Sequence, residues 1–369
     1  MYFILYFTLL IFSFFEFVFR KTSLPKFFFL LVAVLFIIMI SFSTGGPDLE
    51  NYQNHFYNND LEYIRNALEP MHLFLIDTSK KIGFSFEEFY AIYGVLIMIP
   101  FLYFIKKNSP LPIFVLSVFF VIPFFPDITQ IRNFLAISVF FIAIHYYKKS
   151  KIIFYILYFI SILCHYSMLS IIPFLIIRRF SFFHNLKLSY IIIIVGMLLL
   201  MLVPRSISDP LITAINPKYN VYLEGTGTYL GTIILFLPFF TLNSLVLYHY
   251  KNIYQQISWR IDDKYRQNLP FFIELILYAN YLILLQYFIR DFSRITMNLS
   301  ILSYIYISIT IFYGWTKKRN VILSNLQMLI LILWSLSTFY IIFLALNGGE
   351  YFKVIENIFS KNSIYGSKS

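Results

Sequence analysis

From Tyr2 to Leu346 the chain is a succession of apolar runs, most of them near the length of a membrane-crossing helix, parted by short breaks rich in Lys and Arg. A helix rises 1.5 Å per residue, so roughly 20 residues cross about 30 Å of hydrocarbon, and fewer suffice where aromatic ends reach the interface. The runs lie near Tyr2 to Phe19, Phe27 to Phe42, Phe89 to Ile105, Leu111 to Phe125 and Ile131 to Tyr147. After a stretch from Ile152 to Ile177 come Leu186 to Val203, Tyr229 to Tyr250, Phe271 to Ile289, Ile295 to Trp315 and Val321 to Leu346. Composition agrees. Charged residues make up 13% of the 369, half of the roughly 25% usual in soluble domains. So little polar surface excludes an ordinary cytosolic enzyme, a disordered chain and a disulfide scaffold. The single Cys164 excludes an internal disulfide and a CxxC metal site. The expected fold is an all-α polytopic membrane protein with about 10 to 12 transmembrane helices. The first run lacks a basic segment before it and is followed by Arg20 and Lys21, so it reads as a retained span rather than a cleaved signal.

The net charge of +11 raises nucleic acid as a partner, but in a membrane protein the position of the charges decides. The stretch from Ile152 to Ile177 is flanked by Lys148, Lys149 and Lys151 on one side and Arg178 and Arg179 on the other. One helix would put these clusters on opposite faces of the membrane. Two short helices meeting around Cys164, His165 and Tyr166 would return both to the same face. The positive-inside rule favours this re-entrant-like hairpin. It gathers most of the 29 basic residues, including Arg20, Lys21, Lys106, Lys107, Lys251, Arg260 and Lys317 to Arg319, into inner loops. The charge is then a topological label, with no nucleic acid implied and both termini outside. Residues 1–349 read as a single transmembrane catalytic domain and residues 350–369 as a short polar tail. Two outer loops stand out: residues 43–88, rich in polar groups, and residues 204–228, where Pro204, Pro210, Pro217, Gly225 and Gly227 oppose a long helix.

Polar side chains are costly at membrane depth, so those that remain on the outer side are the first candidates for chemistry. They are Asp48 with Tyr52, then Arg65 and Glu69-Pro70, then Gln130 and Arg132, then His165, and finally Arg290, Asp291 and Arg294. Each has a plain structural alternative. Asp48 and Glu69 occupy helix-start positions, where a carboxylate offsets unpaired N–H groups. Arg132 and Arg294 sit where they can snorkel to headgroups, Arg290 and Asp291 where they can pair, and a histidine at a hairpin tip is commonly just hydrogen-bonded. Together, however, they put cations, carboxylates and an imidazole on one membrane face. No Walker loop, His-Glu-x-x-His, GxSxG or paired-Asp metal pattern is present, so neither a metal nor another cofactor is expected. Glu16 and Glu274, the acids within apolar runs, lie near span ends and do not form a deep proton relay.

The arrangement resembles the EpsG family of Wzy-type polysaccharide polymerases. The resemblance rests on Gly46-Pro47-Asp48-Leu49-Glu50-Asn51-Tyr52, the later Glu69-Pro70, the run Gln130-Ile131-Arg132-Asn133-Phe134-Leu135-Ala136, the unit Cys164-His165-Tyr166-Ser167-Met168-Leu169, and a late Arg294 opening a span. Order and spacing agree over nearly the full chain. Asn133 stands where a Gln is frequent, and His72 where an aromatic or small residue is expected. The resemblance implies a GT-C-like arrangement and a glycosyltransferase of the bacterial cytoplasmic membrane. Such an enzyme joins oligosaccharide repeat units carried on undecaprenyl diphosphate, on the outer face, for capsule, O-antigen or exopolysaccharide. Its partners would be that lipid-linked donor, the surrounding lipids and a chain-length regulator. On this reading Arg132, Arg294 and Arg290 hold the diphosphate, since guanidinium binds phosphate oxygens bidentately and stabilises charge on the leaving group. His165 or Asp48 activates the acceptor hydroxyl, Glu69 shapes the pocket, and Gln130, Tyr52 and Arg65 contact acceptor sugars. A flippase, a glycan ligase and a sugar acyltransferase are the competing readings. The first is opposed by the lack of an internal repeat. The last is opposed by His165 lying on the outer side.

Overall fold

The computed structural model describes residues 2–20, 22–43, 45–46, 48–58, 68–202, 229–286, 292–314, 321–339 and 350–360. Its helices, in chain order, are α1 (Tyr2–Val18), α2 (Leu24–Ser41), α3 (Leu49–Tyr57), α4 (Pro70–Ile82), α5 (Phe86–Asn108), α6 (Pro112–Val121), α7 (Phe124–Thr129), α8 (Ile131–Tyr146) and α9 (Lys151–Cys164). A 3₁₀ turn, Tyr166–Ile171, leads to α10 (Ile172–Ile177), α11 (Ser181–His184), α12 (Leu186–Leu202), α13 (Tyr229–Ile257), α14 (Asp263–Arg266) and α15 (Leu269–Gln286). The last are α16 (Phe292–Leu299), α17 (Ile301–Gly314), α18 (Val321–Phe339) and α19 (Glu350–Ser360). No strand occurs among the described residues. Among the described residues, four stretches are long and apolar enough to cross a membrane: Leu24–Ser41, Phe86–Asn108, Asp263–Gln286 and Phe292–Tyr313. Seven shorter apolar helices of 10–17 residues accompany them. The protein is an all-helical, polytopic membrane protein. Large apolar side chains stand outward along α1 (Phe3, Ile4, Phe7, Ile11, Phe14) and α9 (Ile152, Tyr155, Ile156, Phe159). Continuous apolar surface of this kind is tolerated by lipid and not by water.

The chain forms two compact units. The first comprises Met1–Met168, Ile261–Asn268 and Ile307–Ser369, and the second Leu169–Arg260 and Leu269–Tyr306. In the first, α1 packs on α6, α2 on α5, α5 on α8 and α8 on α9. The α2–α5 crossing is tight at Gly94, where a Cβ would come within 2.5 Å of Ser41 Oγ and 2.8 Å of its Cα. Glu16 has a structural task here. Its two carboxylate oxygens accept the backbone N–H groups of Ile113 and Phe114, each at 3.1 Å. The residue before α6, Leu111, offers no capping side chain, so a carboxylate from α1 satisfies the orphan donors of that helix start.

The apolar run from Leu111 to Phe125 is not one helix. α6 stops at Val121, ahead of Pro123, and the short α7 carries the chain to α8. Ten residues reach only about 15 Å, half the hydrocarbon thickness. Yet Asn108 Nδ2 lies 3.2 Å from His145 Nδ1, at the far end of α8. The connection from Asn108 to Ile131 must therefore climb the roughly 21 Å length of α8, in two pieces. Next, α9 runs back along α8, so His165 ends up at the Arg132 end, opposite Lys148 to Lys151. The chain breaks at His165, which is extended (φ −159°, ψ 126°), as expected of the two short elements between Ile152 and Ile177. The segment expected to be a polar tail contains α19, which buries Ile355, Ile358 and Phe359. Phe359 meets the rings of Tyr2 and Phe125, with centroids 6.4 and 5.9 Å apart. Its apolar positions recur at three and four residues, a face that is easily lost among Glu, Lys and Asn in a short segment.

Candidate active site

Three helix ends of the first unit converge. α4 begins at Glu69, extended (φ −72°, ψ 145°) and followed by Pro70, whose missing N–H costs nothing in a first turn. α8 begins at Gln130, so Arg132 stands in its first turn. α9 ends at Cys164, leaving His165 in the break. α9 packs on both α4 and α8, which fixes the three ends together.

The Glu69 carboxylate forms no capping bond with its own helix. It points instead at the other two ends. Arg132 Nη1 donates to Glu69 Oε2 at 2.5 Å, and His165 Nε2 lies 3.6 Å from Glu69 Oε1. Side-chain exposures of 8% for Glu69, 22% for Arg132 and 27% for His165 put the carboxylate inside and leave both partners an open edge. The other side of the imidazole is held as well. The Ser167 amide donates to Nδ1 at 3.2 Å, and the Ser167 hydroxyl lies 2.8 Å from the same nitrogen. That hydroxyl also donates to Asn133 Oδ1 at 3.0 Å. A line of polar contacts thus runs Glu69–His165–Ser167–Asn133, and Asn133 adjoins Arg132 in the chain. A base oriented by a carboxylate on one side and a hydroxyl on the other suits proton transfer.

Below the ion pair lies a layer of rings. Tyr52 is 3% exposed, and the Arg132 guanidinium stands 5.8 Å over its ring. Burial pushes the Tyr52 hydroxyl up to about 12, Arg132 opposing and Asp48 reinforcing the shift. Tyr52 therefore supports the arginine and does not present an open face to a sugar. His72 contacts Tyr52, His55 and Tyr93, with ring centroids 5.9, 6.0 and 5.7 Å apart. It is fully buried, and neither ring nitrogen has a hydrogen-bond partner among the described residues. Desolvation, then the positive charge of Arg132, holds its pKa well below the ordinary value. His55, half-buried, is lowered by the same two causes in the same order, with Glu69 opposing.

Asp48 occupies the N-cap position of α3 without a side-chain cap, and its charge is felt at Tyr52. Gln130 is half-buried; its backbone closes the turn from Asp127 and starts α8 by accepting from Phe134 N–H at 3.0 Å. Arg294 lies in α16 of the second unit, half-buried, its carbonyl accepting from Asn298 Nδ2 at 3.1 Å. Arg65, Arg290 and Asp291 lie outside the described residues, as does the segment 204–228 expected to be an outer loop. The sequence reading missed the parts played by His55, Ser167 and Asn133. A signal existed for two members of the layer, since His55 follows Tyr52 by three residues and His72 follows Glu69 by three, the spacing of neighbours on a helix face. Among the described residues no group of three or more His, Cys, Asp or Glu is arranged to hold a metal ion.

A family model, that of the EpsG family, matches residues 26–355. The chain belongs to the EpsG family. No curated protein and no solved structure matches it. The EpsG match spans every residue of the Glu69–Arg132–His165 constellation, together with Asp48 and Arg294. Membership makes the chain a membrane protein of polysaccharide biosynthesis, with the constellation at the meeting point of three of its helix ends.

Proposed function

We propose that this EpsG-family protein is a glycosyltransferase that polymerises oligosaccharide repeat units carried on undecaprenyl diphosphate, at the outer face of the cytoplasmic membrane. The product would be capsule, O-antigen or exopolysaccharide. The observation that carries the proposal is the convergence of Glu69, Arg132 and His165, an anchored cation beside an oriented base, in a chain otherwise starved of charge.

In the reaction, an acceptor hydroxyl attacks the anomeric carbon of the donor. The new C–O bond forms as the bond from that carbon to the phosphate oxygen breaks, and undecaprenyl diphosphate leaves with the bonding pair. Two demands follow. Negative charge grows on the leaving diphosphate, and a fixed cation stabilises it without reorganisation. Arg132, locked by Glu69 and braced on Tyr52, meets that demand; the family resemblance, and not the geometry, adds Arg294 and Arg290 as further phosphate ligands. The acceptor also gives up a proton. His165 takes it at Nδ1 through the Ser167 hydroxyl, which turns its own proton from Asn133 to the imidazole as it receives the acceptor's, and Glu69 beside Nε2 stabilises the resulting imidazolium. Asp48, close enough for its charge to act on Tyr52, is the alternative acceptor of that proton. The chain-length regulator expected of such systems would act on this same polymerising unit.

The test is complementation of a polymer-deficient strain with Arg132→Lys, His165→Ala and Arg294→Ala, with membrane abundance measured for each. Each variant should lose long-chain polymer while single capped repeats remain. Restoration of normal polymer by all three would overturn the assignment. Accumulation of lipid-linked repeats in the inner leaflet would mark a flippase instead.

A further inference from the structure

The second unit contains a cavity of about 730 Å³ at one end of its helices, lined by none of the residues assigned above. It is bounded by the turn between α11 and α12 (His184, Asn185), the stretch of α13 that carries Tyr250, Lys251 and Tyr254, and the first turns of α15 at Glu274. Its volume falls within the range of about 300–1,000 Å³ typical of small-molecule sites.

Its chemistry divides into three parts. Glu274, the acid on the wall, is already paired with Arg178, whose guanidinium stands 4.8 Å from the Phe271 ring and 5.3 Å from that of Phe174. The negative charge of the wall is thereby offset. Lys251 and His184 stand exposed at the mouth. Lys251 has no acidic partner among the described residues, and His184 is fixed by a 2.8 Å contact between its Nε2 and the Arg178 carbonyl. Tyr250 and Tyr254 form a stacked shelf, their rings 4.6 Å apart and 28° from parallel. α12 and α13, which contribute Leu186, Leu247, Tyr250, Lys251 and Tyr254 to the lining, also turn apolar side chains outward: Leu188, Ile191, Leu245 and Tyr248. The cavity thus joins a basic, hydrogen-bonding lining to helices whose outward side chains are apolar. Lys251 lines the cavity, and Arg178, Arg179 and Lys187 lie close in sequence to its lining residues 183–186; the charge distribution assigns these segments to the inner side.

A water-soluble anion would use the chamber alone, whereas an amphiphile uses both parts. We infer that the cavity is a binding site for an anionic phospholipid, its phosphate on Lys251 and His184, its glycerol over the Tyr250–Tyr254 shelf and its acyl chains along Leu188, Ile191, Leu245 and Tyr248. Basic pockets between membrane helices on the cytoplasmic side take anionic headgroups on the same physical grounds. The site is separate from the proposed polymerase chemistry and does not depend on it.

The test is native mass spectrometry of the full-length protein in detergent, titrated with phosphatidylglycerol or phosphatidylcholine of matched acyl chains, and separately with soluble glycerol phosphate. Phosphatidylglycerol should bind at least fivefold more tightly than phosphatidylcholine. Lys251→Gln, an exposed substitution, should remove most of that preference, while Lys26→Gln, on an exposed residue of α2, leaves it intact. Equal binding of the two lipids would overturn the inference, as would an undiminished preference in Lys251→Gln or an equal loss in Lys26→Gln. Glycerol phosphate binding as tightly as the lipid would overturn it too, by making the chamber a soluble-anion site.

Discussion

The Glu69–Arg132 pair should behave as a single energetic unit, and a double-mutant cycle measures whether it does. Breaking a buried ion pair by removing one partner costs about 3–5 kcal/mol, because the remaining charge is stranded. Two features of this site reduce that figure. Arg132 is 22% exposed, so water reaches part of it, and Tyr52 remains beneath the guanidinium when Glu69 is gone. About 2–4 kcal/mol is therefore expected for Glu69→Gln and for Arg132→Met. The double variant leaves no stranded charge, so it should cost less than the two singles added, with a coupling of about 2 kcal/mol, within the range for groups sharing one network. Unfolding of the purified protein in mixed micelles with added ionic detergent supplies the three differences. A coupling below about 0.5 kcal/mol would show that the two sites act independently, and would remove the reason for treating Glu69 as the residue that fixes Arg132.

Acidification should destabilise the ring layer around Tyr52. His72 and His55 have lowered pKa values in the folded chain, so below about pH 6.5 the unfolded chain binds protons that the folded one refuses. Stability then falls with falling pH, by up to about 1.4 kcal/mol per pH unit for His72 and less for the half-buried His55. Melting curves from pH 7.5 to 5 should show a shallower fall for His72→Phe than for the parent, and identical slopes would refute the burial argument. Gly94→Ala should destabilise by about 1–3 kcal/mol through its clash with Ser41, a backbone contact that no rotamer relieves; the same unfolding assay reads it, and a neutral outcome would show that the α2–α5 crossing is loose. Glu16→Ala should cost about 1–2 kcal/mol by baring the start of α6, with Glu16→Gln costing less because its amide oxygen still accepts one bond. Equal losses in the two would place the effect elsewhere.

The helical class and most of the apolar helices were legible because hydrophobic runs in lipid have to be continuous, so each charged break shows. The break at His165 was legible for the same reason, since Lys148 to Lys151 and Arg178 to Arg179 constrain what lies between. The division of residues 111–125 was less visible. Pro123 marked it, but the surrounding Phe and Ile residues look the same in one helix as in two. Glu69 and Arg132 could be named separately, as charges at helix starts, yet nothing in the order of residues says that a carboxylate at position 69 turns away from its own helix. That choice is made by packing, where α9 brings His165 alongside. His72 was the hardest to judge. A histidine in a short amphipathic stretch looks solvent-facing, and only the aromatic side chains of Tyr52, Phe89 and Tyr93 around it show that it is inside.

The location of the constellation at helix ends has a physical reason. In the middle of a membrane helix every backbone group is satisfied, and a charge there bears its full desolvation cost. At a helix end up to four N–H or C=O groups already need partners, so the surroundings are polar before any charged side chain arrives. Glu69 and Arg132 begin α4 and α8, and His165 follows the last turn of α9. Breaking the chain at three places and packing the broken ends together concentrates that unavoidable polarity in one spot, where a cation, a carboxylate and an imidazole add less cost than anywhere else in the unit. The same reasoning covers Glu16 at the start of α6 and Glu274, near the start of α15, paired with Arg178 just beyond α10. It separates them by role. Glu16 is engaged by a helix start and Glu274 by Arg178, whereas Glu69 divides its oxygens between two partly open partners. Only an arrangement of that second kind sets the open edges of a cation and an imidazole beside one shared carboxylate.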